Sequence, residues 1–171
     1  MSAFDINNYL DPQNSCNRDL FLKIKRPWDV LENIDQFFEK KERYIIEADI
    51  PEEAWLGENI SIGRGTVVEK GATIKGPAVI GQDCEIRSGA YIRRDVIIGD
   101  GVLIGNSSEI KRSLVDDGAE IPHFNYVGDS VIGRRGHLGA GVKVSNLKIT
   151  RNSIRIRAEG KEIDTGLRKF G

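Results

Sequence analysis

Apolar β-branched residues recur at every sixth position through the middle of the chain, and a column of mostly small residues precedes them by two positions. A period of six fits neither the 3.6-residue period of a helix nor the alternation of hairpin sheets. It is typical of a chain that winds in short flat strands, each forming one side of a coil. Chance spacing of common residues is the alternative, and nine positions without a miss argue against it. These positions are Ile62, Val68, Ile74, Ile80, Ile86, Ile92, Ile98, Ile104 and Ile110.

This repeat predicts an all-β fold, a parallel β-helix in which stiff β-branched side chains stack inside the coil. The spacing then shortens to five residues between Ile110 and Val115, and again between Val127 and Ile132. A skipped residue moves a corner and redirects nearby side chains, as a bulge does in a sheet. The segment PHFNYVGD, residues 122–129, lies within this altered stretch. We therefore expect the most distinctive chemistry where the repeat is imperfect.

The pattern divides the chain into three regions. Residues 1–50 form an N-terminal segment, in which apolar residues at helical spacing and Pro27 predict a helix over about 27–43. We expect this helix to cap the open end of the coil, which a solenoid needs. Residues 51–146 form the β-helix. Residues 147–171 form a hairpin-like insertion, followed by what we expect to be the truncated end of the β-helix.

Composition narrows the class of protein. The chain has 25 basic and 26 acidic residues and a net charge of −1, which argues against nucleic-acid binding. It contains no apolar run of membrane-spanning length, and its first residues lack the apolar core of a signal peptide, so we expect a cytoplasmic protein. Cys16 and Cys84 are too few for a disulfide framework or a zinc site. Cys84 falls in the small column, where we expect it to pack as a small apolar residue.

His123 is the strongest candidate for chemistry because an imidazole exchanges protons near neutral pH and suits a general base. Tyr126 follows three residues later, and Arg87 lies on an earlier side of the coil. Residues one turn apart stack above one another, so Arg93 and Lys111 share a face. A histidine beside basic groups suggests an anionic ligand such as a phosphate. The alternative is a surface histidine among ordinary solvated charges.

Four segments resemble a known enzyme family. It is the C-terminal acetyltransferase domain of the bifunctional glucosamine-1-phosphate acetyltransferase/N-acetylglucosamine-1-phosphate uridylyltransferase, with its UDP-N-acetylglucosamine pyrophosphorylase-related proteins. The ordered elements H-x-x-Y-x-G-D, I-G, G-A-G and N in the last segment are the most specific, and the closing EGKEIDTGLRKFG is similar to related sugar-1-phosphate nucleotidyltransferase-like proteins. The segments are PWDVLEN (27–33), EIRSGAYI (85–92), GNSSEIKRSLV (105–115) and HFNYVGDSVIGRRGHLGAGVKVSN (123–146).

The resemblance implies a left-handed coil, assembly as a homotrimer, and transfer of an acetyl group from acetyl-CoA to an amino-sugar 1-phosphate such as glucosamine-1-phosphate. No metal ligand is implied. The residues that it assigns are His123 as general base, Arg87 and Lys111 as ligands of the sugar phosphate, Tyr126 and Asn146 as hydrogen-bond partners of the sugar, and Ala140 in the pantetheine groove.

Some features depart from the family. No uridylyltransferase domain with its magnesium site fits before the predicted helix, so pyrophosphorylase activity is not expected. Asn152 stands where the family carries a basic residue, and His137 replaces a polar residue. A non-catalytic sugar-nucleotide-binding or scaffolding β-helix module is therefore a second hypothesis. A third is a γ-class carbonic anhydrase-like protein, whose zinc needs three histidines, whereas this chain has two.

Overall fold

A computed structural model describes residues 4–8, 10, 13, 18–21 and 24–171. Cys16 lies outside these residues. In this part of the chain, 3-10 turns span Ile6–Asn8, Arg18–Phe21 and Pro27–Asp29, and helix α1 spans Val30–Lys40. No helix there combines the length and the hydrophobicity needed to cross a bilayer. The strands are β1 (Trp55–Leu56), β2 (Ile60–Ile62), β3 (Val67–Val68), β4 (Thr73–Ile74), β5 (Ala78–Ile80), β6 (Glu85–Ile86), β7 (Tyr91–Ile92), β8 (Val96–Ile98), β9 (Leu103–Asn106), β10 (Glu109–Lys111), β11 (Ser113–Val115), β12 (Glu120–His123), β13 (Tyr126–Gly128), β14 (Val131–Ile132), β15 (Lys143–Val144), β16 (Arg155–Ala158) and β17 (Lys161–Asp164).

Strands β1 to β15 form three parallel sheets. Sheet A has the order β14-β11-β8-β5-β2, sheet B the order β1-β4-β7-β10-β13-β15, and sheet C the order β12-β9-β6-β3. From β1 to β14, successive strands pass from sheet B to sheet A, then to sheet C, and back to sheet B. The chain therefore winds as a coil with three sides, which confirms the predicted parallel β-helix.

The column of β-branched residues fills the inside of the coil. Ile74, Ile92 and Ile110 are stacked neighbours in sheet B, and each is fully buried. Cys84 of the small column is 2% exposed, and its Sγ lies 3.1 Å from the carbonyl oxygen of Gly99. Burial raises the pKa of this thiol, so it packs as a small neutral residue, as the sequence predicts.

The two shortened spacings fall at the same corner of the coil. In sheet B, Ile92 pairs with Ile110, eighteen residues later, whereas Ile110 pairs with Val127, seventeen residues later. At these shortened corners between sheets B and A, Arg112 has a φ of 41° and Asp129 a φ of 50°. This left-handed backbone is uncommon for side chains larger than glycine. The ion pairs of Arg112 and Asp129 offset the energetic cost of this backbone conformation.

Helix α1 lies on the outer face of sheet A, so the expectation that it caps the end of the coil is wrong. Leu31 and Ile34 are fully buried in one cluster with Ile97 of β8 and Leu114 of β11. These two strand residues point outward, because their neighbours along each strand belong to the core inside the coil. The α-helix also ends at Lys40, earlier than the predicted boundary near residue 43.

We predict that Ile97→Val lowers the free energy of unfolding by about 1 kcal/mol, because it removes a methyl group from this contact between helix and sheet. A matched control is Val67→Ala, which changes an outward side chain of β3 that is 58% exposed. That change should stay within about 0.5 kcal/mol of wild type. Urea unfolding followed by circular dichroism measures both, and equal effects would contradict lateral packing of α1.

After β15 the chain leaves the coil and returns to it. Strands β16 and β17 form an antiparallel hairpin, and residues 165–171, here called the tail, then run back along the last coil. Lys169 bridges Leu147, and the backbone N–H of Phe170 donates to the carbonyl oxygen of Asn146 at 3.0 Å. The tail therefore covers the corner that follows sheet B.

Candidate functional site

A buried carboxylate organises the shortened corner between sheets B and A. The Asp129 side chain is 2% exposed and accepts hydrogen bonds from the Lys111 ammonium at 3.0 Å and from the Asn146 amide at 2.6 Å. The Arg112 guanidinium lies 3.5 Å from its other oxygen and also pairs with Asp35 of α1 at 2.7 Å. Asp129 thus holds donors from the coil before it and the coil after it in one place.

Tyr126 completes this group. Its hydroxyl oxygen accepts a hydrogen bond from the Asn146 amide at 3.3 Å. The hydroxyl lies over Gly128, where an added Cβ would be 2.5 Å from the Tyr126 oxygen and 2.7 Å from the Asn146 nitrogen. A side chain at position 128 would therefore displace the Tyr126 hydroxyl and the Asn146 amide. We call Lys111, Arg112, Tyr126, Asp129 and Asn146 the Asp129 cluster.

His123 lies at the corner between sheets C and B. Its side chain is exposed, and among the described residues no hydrogen bond to its ring is found. The backbone around it is fixed, because its N–H donates to the side-chain oxygen of buried Asn125 at 3.0 Å. The Asn125 amide in turn donates to the carbonyl oxygen of Gly139 at 2.8 Å. The histidine is therefore presented to solvent from a rigid corner.

Ala140 and Arg87 share this corner with His123. The backbone N–H of Gly141 donates to the carbonyl oxygen of His123 at 2.9 Å, which places exposed Ala140 one coil beyond the histidine. Arg87 lies on earlier coils of the same corner, and its guanidinium pairs with Glu85 at 2.8 Å. One corner thus carries the predicted base, the predicted phosphate ligand Arg87 and the predicted pantetheine contact.

The structure therefore divides the predicted site residues between two corners. Lys111, Tyr126 and Asn146 come together, whereas His123 and Arg87 lie across sheet B from them. Strand register puts Arg93, not Arg87, beside Lys111, and Arg93 pairs with Glu109 at 2.8 Å. Asp129 was not among the site residues predicted from the sequence, although a carboxylate one turn after a lysine is a usable signal.

The second histidine has its own partner. The ring of His137 lies 2.9 Å from a carboxylate oxygen of Glu120, and both side chains are exposed. In the part of the chain that the structure describes, no three His, Cys, Asp or Glu side chains form a group suited to a metal ion.

Residues 74–161, more than half of the chain, match the family described as GMPPB C-terminal domain. The chain belongs to this family. Its resemblance to bifunctional acetyltransferases is also confirmed by curated relatives. The bifunctional protein GlmU of Methanococcus maripaludis is 40% identical over 154 residues, which are 86% of this chain and 36% of that protein.

A second relative is the bifunctional sugar-1-phosphate nucleotidylyltransferase/acetyltransferase of Sulfurisphaera tokodaii. It is 42% identical over 65 residues, which are 38% of this chain and 16% of that protein. This member of the GMPPB C-terminal domain family thus spans about a third or less of the length of these two relatives.

Among solved structures, a similar chain is a histidine-to-asparagine mutant of perosamine N-acetyltransferase from Caulobacter crescentus, in complex with CoA and GDP-perosamine. It has 14% sequence identity and a TM-score of 0.36, and the match covers 67% of this chain and 57% of that chain. A likeness this distant carries no argument about fold or ligands.

Proposed function

We propose that this chain is part of an acetyltransferase that moves an acetyl group from acetyl-CoA to the amine of an amino-sugar 1-phosphate. The observation that carries the proposal is the Asp129 cluster, which gathers the predicted sugar ligands Lys111, Tyr126 and Asn146. The Sulfurisphaera tokodaii relative, whose name includes acetyltransferase, gives it further support.

The cluster has unused hydrogen-bonding capacity suited to a sugar phosphate. The Lys111 ammonium has three N–H donors and uses one on Asp129, so the others are available to a phosphate. The Asn146 amide nitrogen donates to Asp129 and Tyr126, which leaves its oxygen free to accept from a sugar hydroxyl. The Tyr126 hydroxyl accepts from Asn146 and can still donate its own proton.

In the proposed reaction, the His123 imidazole removes a proton from the sugar amine. The nitrogen lone pair attacks the thioester carbonyl, a nitrogen–carbon bond forms, the carbon–sulfur bond breaks, and the thiol of CoA leaves with a proton. Because a thioester is already activated, positioning supplies much of the acceleration. Ala140, one coil beyond His123, would lie along the pantetheine arm, where its small side chain leaves the approach open. The test is thiol release from acetyl-CoA in the presence of glucosamine-1-phosphate.

We further propose that the site is completed between copies of the chain in a homotrimer. His123 and Lys111 lie at different corners of one coil and therefore do not meet within one copy. In the trimer, the base of one copy would face the Asp129 cluster of its neighbour. Arg87, at the corner of His123, would then meet the sugar phosphate from the side opposite Lys111. Closed rotational symmetry repeats such a site at every interface.

Mixing two inactive variants tests this arrangement. His123→Ala and Lys111→Ala should each be inactive alone, but trimers re-formed from an equal mixture should regain about a quarter of wild-type activity, because about a quarter of their interfaces combine two intact halves. Each variant taken through the same dissociation and reassembly alone is the control. A mixture no more active than its components would contradict a site shared between copies.

The second candidate is a binding module without catalysis. The placement of His123 and Lys111 at different corners favours it, because one copy alone does not bring the base to the sugar ligands. Thiol release separates the two functions. A chain that binds glucosamine-1-phosphate but releases no thiol, even as a trimer, would have the second function.

A further inference from the structure

A cavity of about 660 Å³ lies between the Asp129 cluster and the tail. This volume falls within the range of small-molecule sites, about 300–1,000 Å³. Its lining is strongly cationic, with five basic side chains and one carboxylate. The charged lining residues are Lys111, Arg112, Asp129, Arg151, Arg168 and Lys169.

The coil side of this cavity is already partly neutralised. Asp129 is shared between Lys111 and Arg112, and Arg112 also pairs with Asp35. Both cations are held in fixed positions, with about a quarter of each side chain exposed. This wall therefore presents oriented N–H donors, and the two carboxylates neutralise most of its positive charge.

The tail side of the cavity is not neutralised. Within the described residues, no carboxylate lies at ion-pair distance from Arg151, Arg168 or Lys169. The Arg168 Nε–H donates to the backbone carbonyl oxygen of Arg151 at 3.3 Å, and Lys169 bridges Leu147. Arg151, Arg168 and Lys169 line the same cavity, so three cations lie near one another although like charges at short range repel. A bound anion would remove that repulsion.

We infer that this cavity binds a diphosphate group. The lining combines Lys111 and Arg112 from the coil with Arg168 and Lys169 from the tail, which gives each of two linked phosphates its own pair of cations. Arginine forks suit phosphate oxygens, and lysine adds point charge. This inference adds a ligand class to the proposed function. It rests on that function only for the statement that the ligand takes part in the reaction. CoA and a nucleotide-linked amino sugar both contain a diphosphate.

The experiment is calorimetric titration of the full chain with pyrophosphate and with orthophosphate, in the absence of any acetyl donor. Pyrophosphate should bind about tenfold or more tightly than orthophosphate, because it adds charge-assisted hydrogen bonds. The combined change Arg168→Gln and Lys169→Gln should weaken pyrophosphate binding about tenfold or more. The control combines Arg64→Gln and Lys70→Gln, which remove the same charge from exposed positions outside the cavity. It should bind like wild type.

Equal loss in both double variants, or equal affinity for the two anions, would overturn the inference. Displacement of pyrophosphate by UDP would support a nucleotide-linked sugar as the ligand, and displacement by CoA would support the acyl donor. Displacement by neither would overturn assignment to an organic diphosphate. Turnover is measured separately, so intact pyrophosphate binding without acetyl transfer would remove the proposed function and leave the anion site standing.

Discussion

Replacing His123 with alanine is expected to lower turnover by roughly two to four orders of magnitude, the usual contribution of a positioned general base. The fold should be unchanged, because the imidazole is exposed and the backbone of this corner is held by Asn125. Thiol release from acetyl-CoA with glucosamine-1-phosphate measures turnover, and circular dichroism measures the fold. A variant with near wild-type turnover would exclude His123 as the base.

The chain supplies its own control in His137. This second histidine is also exposed, but its ring lies against Glu120. His137→Ala changes the same chemical group at another coil position, and we expect nearly wild-type turnover. Equal losses in the two variants would indicate a general effect on the coil and would remove the special role of His123.

Replacing Asp129 with asparagine is expected to lower the free energy of unfolding by about 2–3 kcal/mol. Asparagine keeps the size of the side chain and tolerates the positive φ of this corner, so the change mainly removes a charge. Lys111 and Arg112 then lose a buried counter-ion, and breaking such pairs costs about 3–5 kcal/mol when both partners are buried. A lower value is expected because about a quarter of each cationic side chain remains exposed.

Asp83→Asn is the matched control for this change. Asp83 also has a positive φ, 52°, but its side chain is exposed at another corner. Its replacement should shift the free energy of unfolding by less than about 0.5 kcal/mol. Urea unfolding measures both variants without adding salt. If Asp129→Asn is no more costly than the control, Asp129 does not organise the cluster.

The six-residue repeat predicted the coil because it marks the residues that point inward on each strand. It could not place α1, since the period alone treats outward positions as solvent-exposed. Ile97 and Leu114 broke that rule and marked the docking face of the helix, because strands β8 and β11 are buried on both faces. A large apolar residue at the outward position of a strand, such as Ile97 or Leu114, is therefore a readable sign that another element covers that side.

The candidate site was predicted only in part. Lys111, Tyr126 and Asn146 were assigned by the family resemblance, and the structure brings them together around Asp129. The spacing located the two missing residues after Ile110 and after Val127, but it did not show what those corners hold. The structure brings Arg112 and Asp129 together at this corner between sheets B and A and leaves His123 across sheet B.

The aromatic contact between the tail and the N-terminal segment changes how the coil opens. Solenoids lose order from their ends, because each turn touches only its neighbours. Here the ring of Trp28 packs on Phe4 at 6.0 Å and on Phe170 at 6.1 Å between ring centres. Loosening of the last turn therefore disturbs the segment that precedes the first. The two ends share a single opening event, and amide hydrogens near both should exchange with solvent together instead of fraying independently.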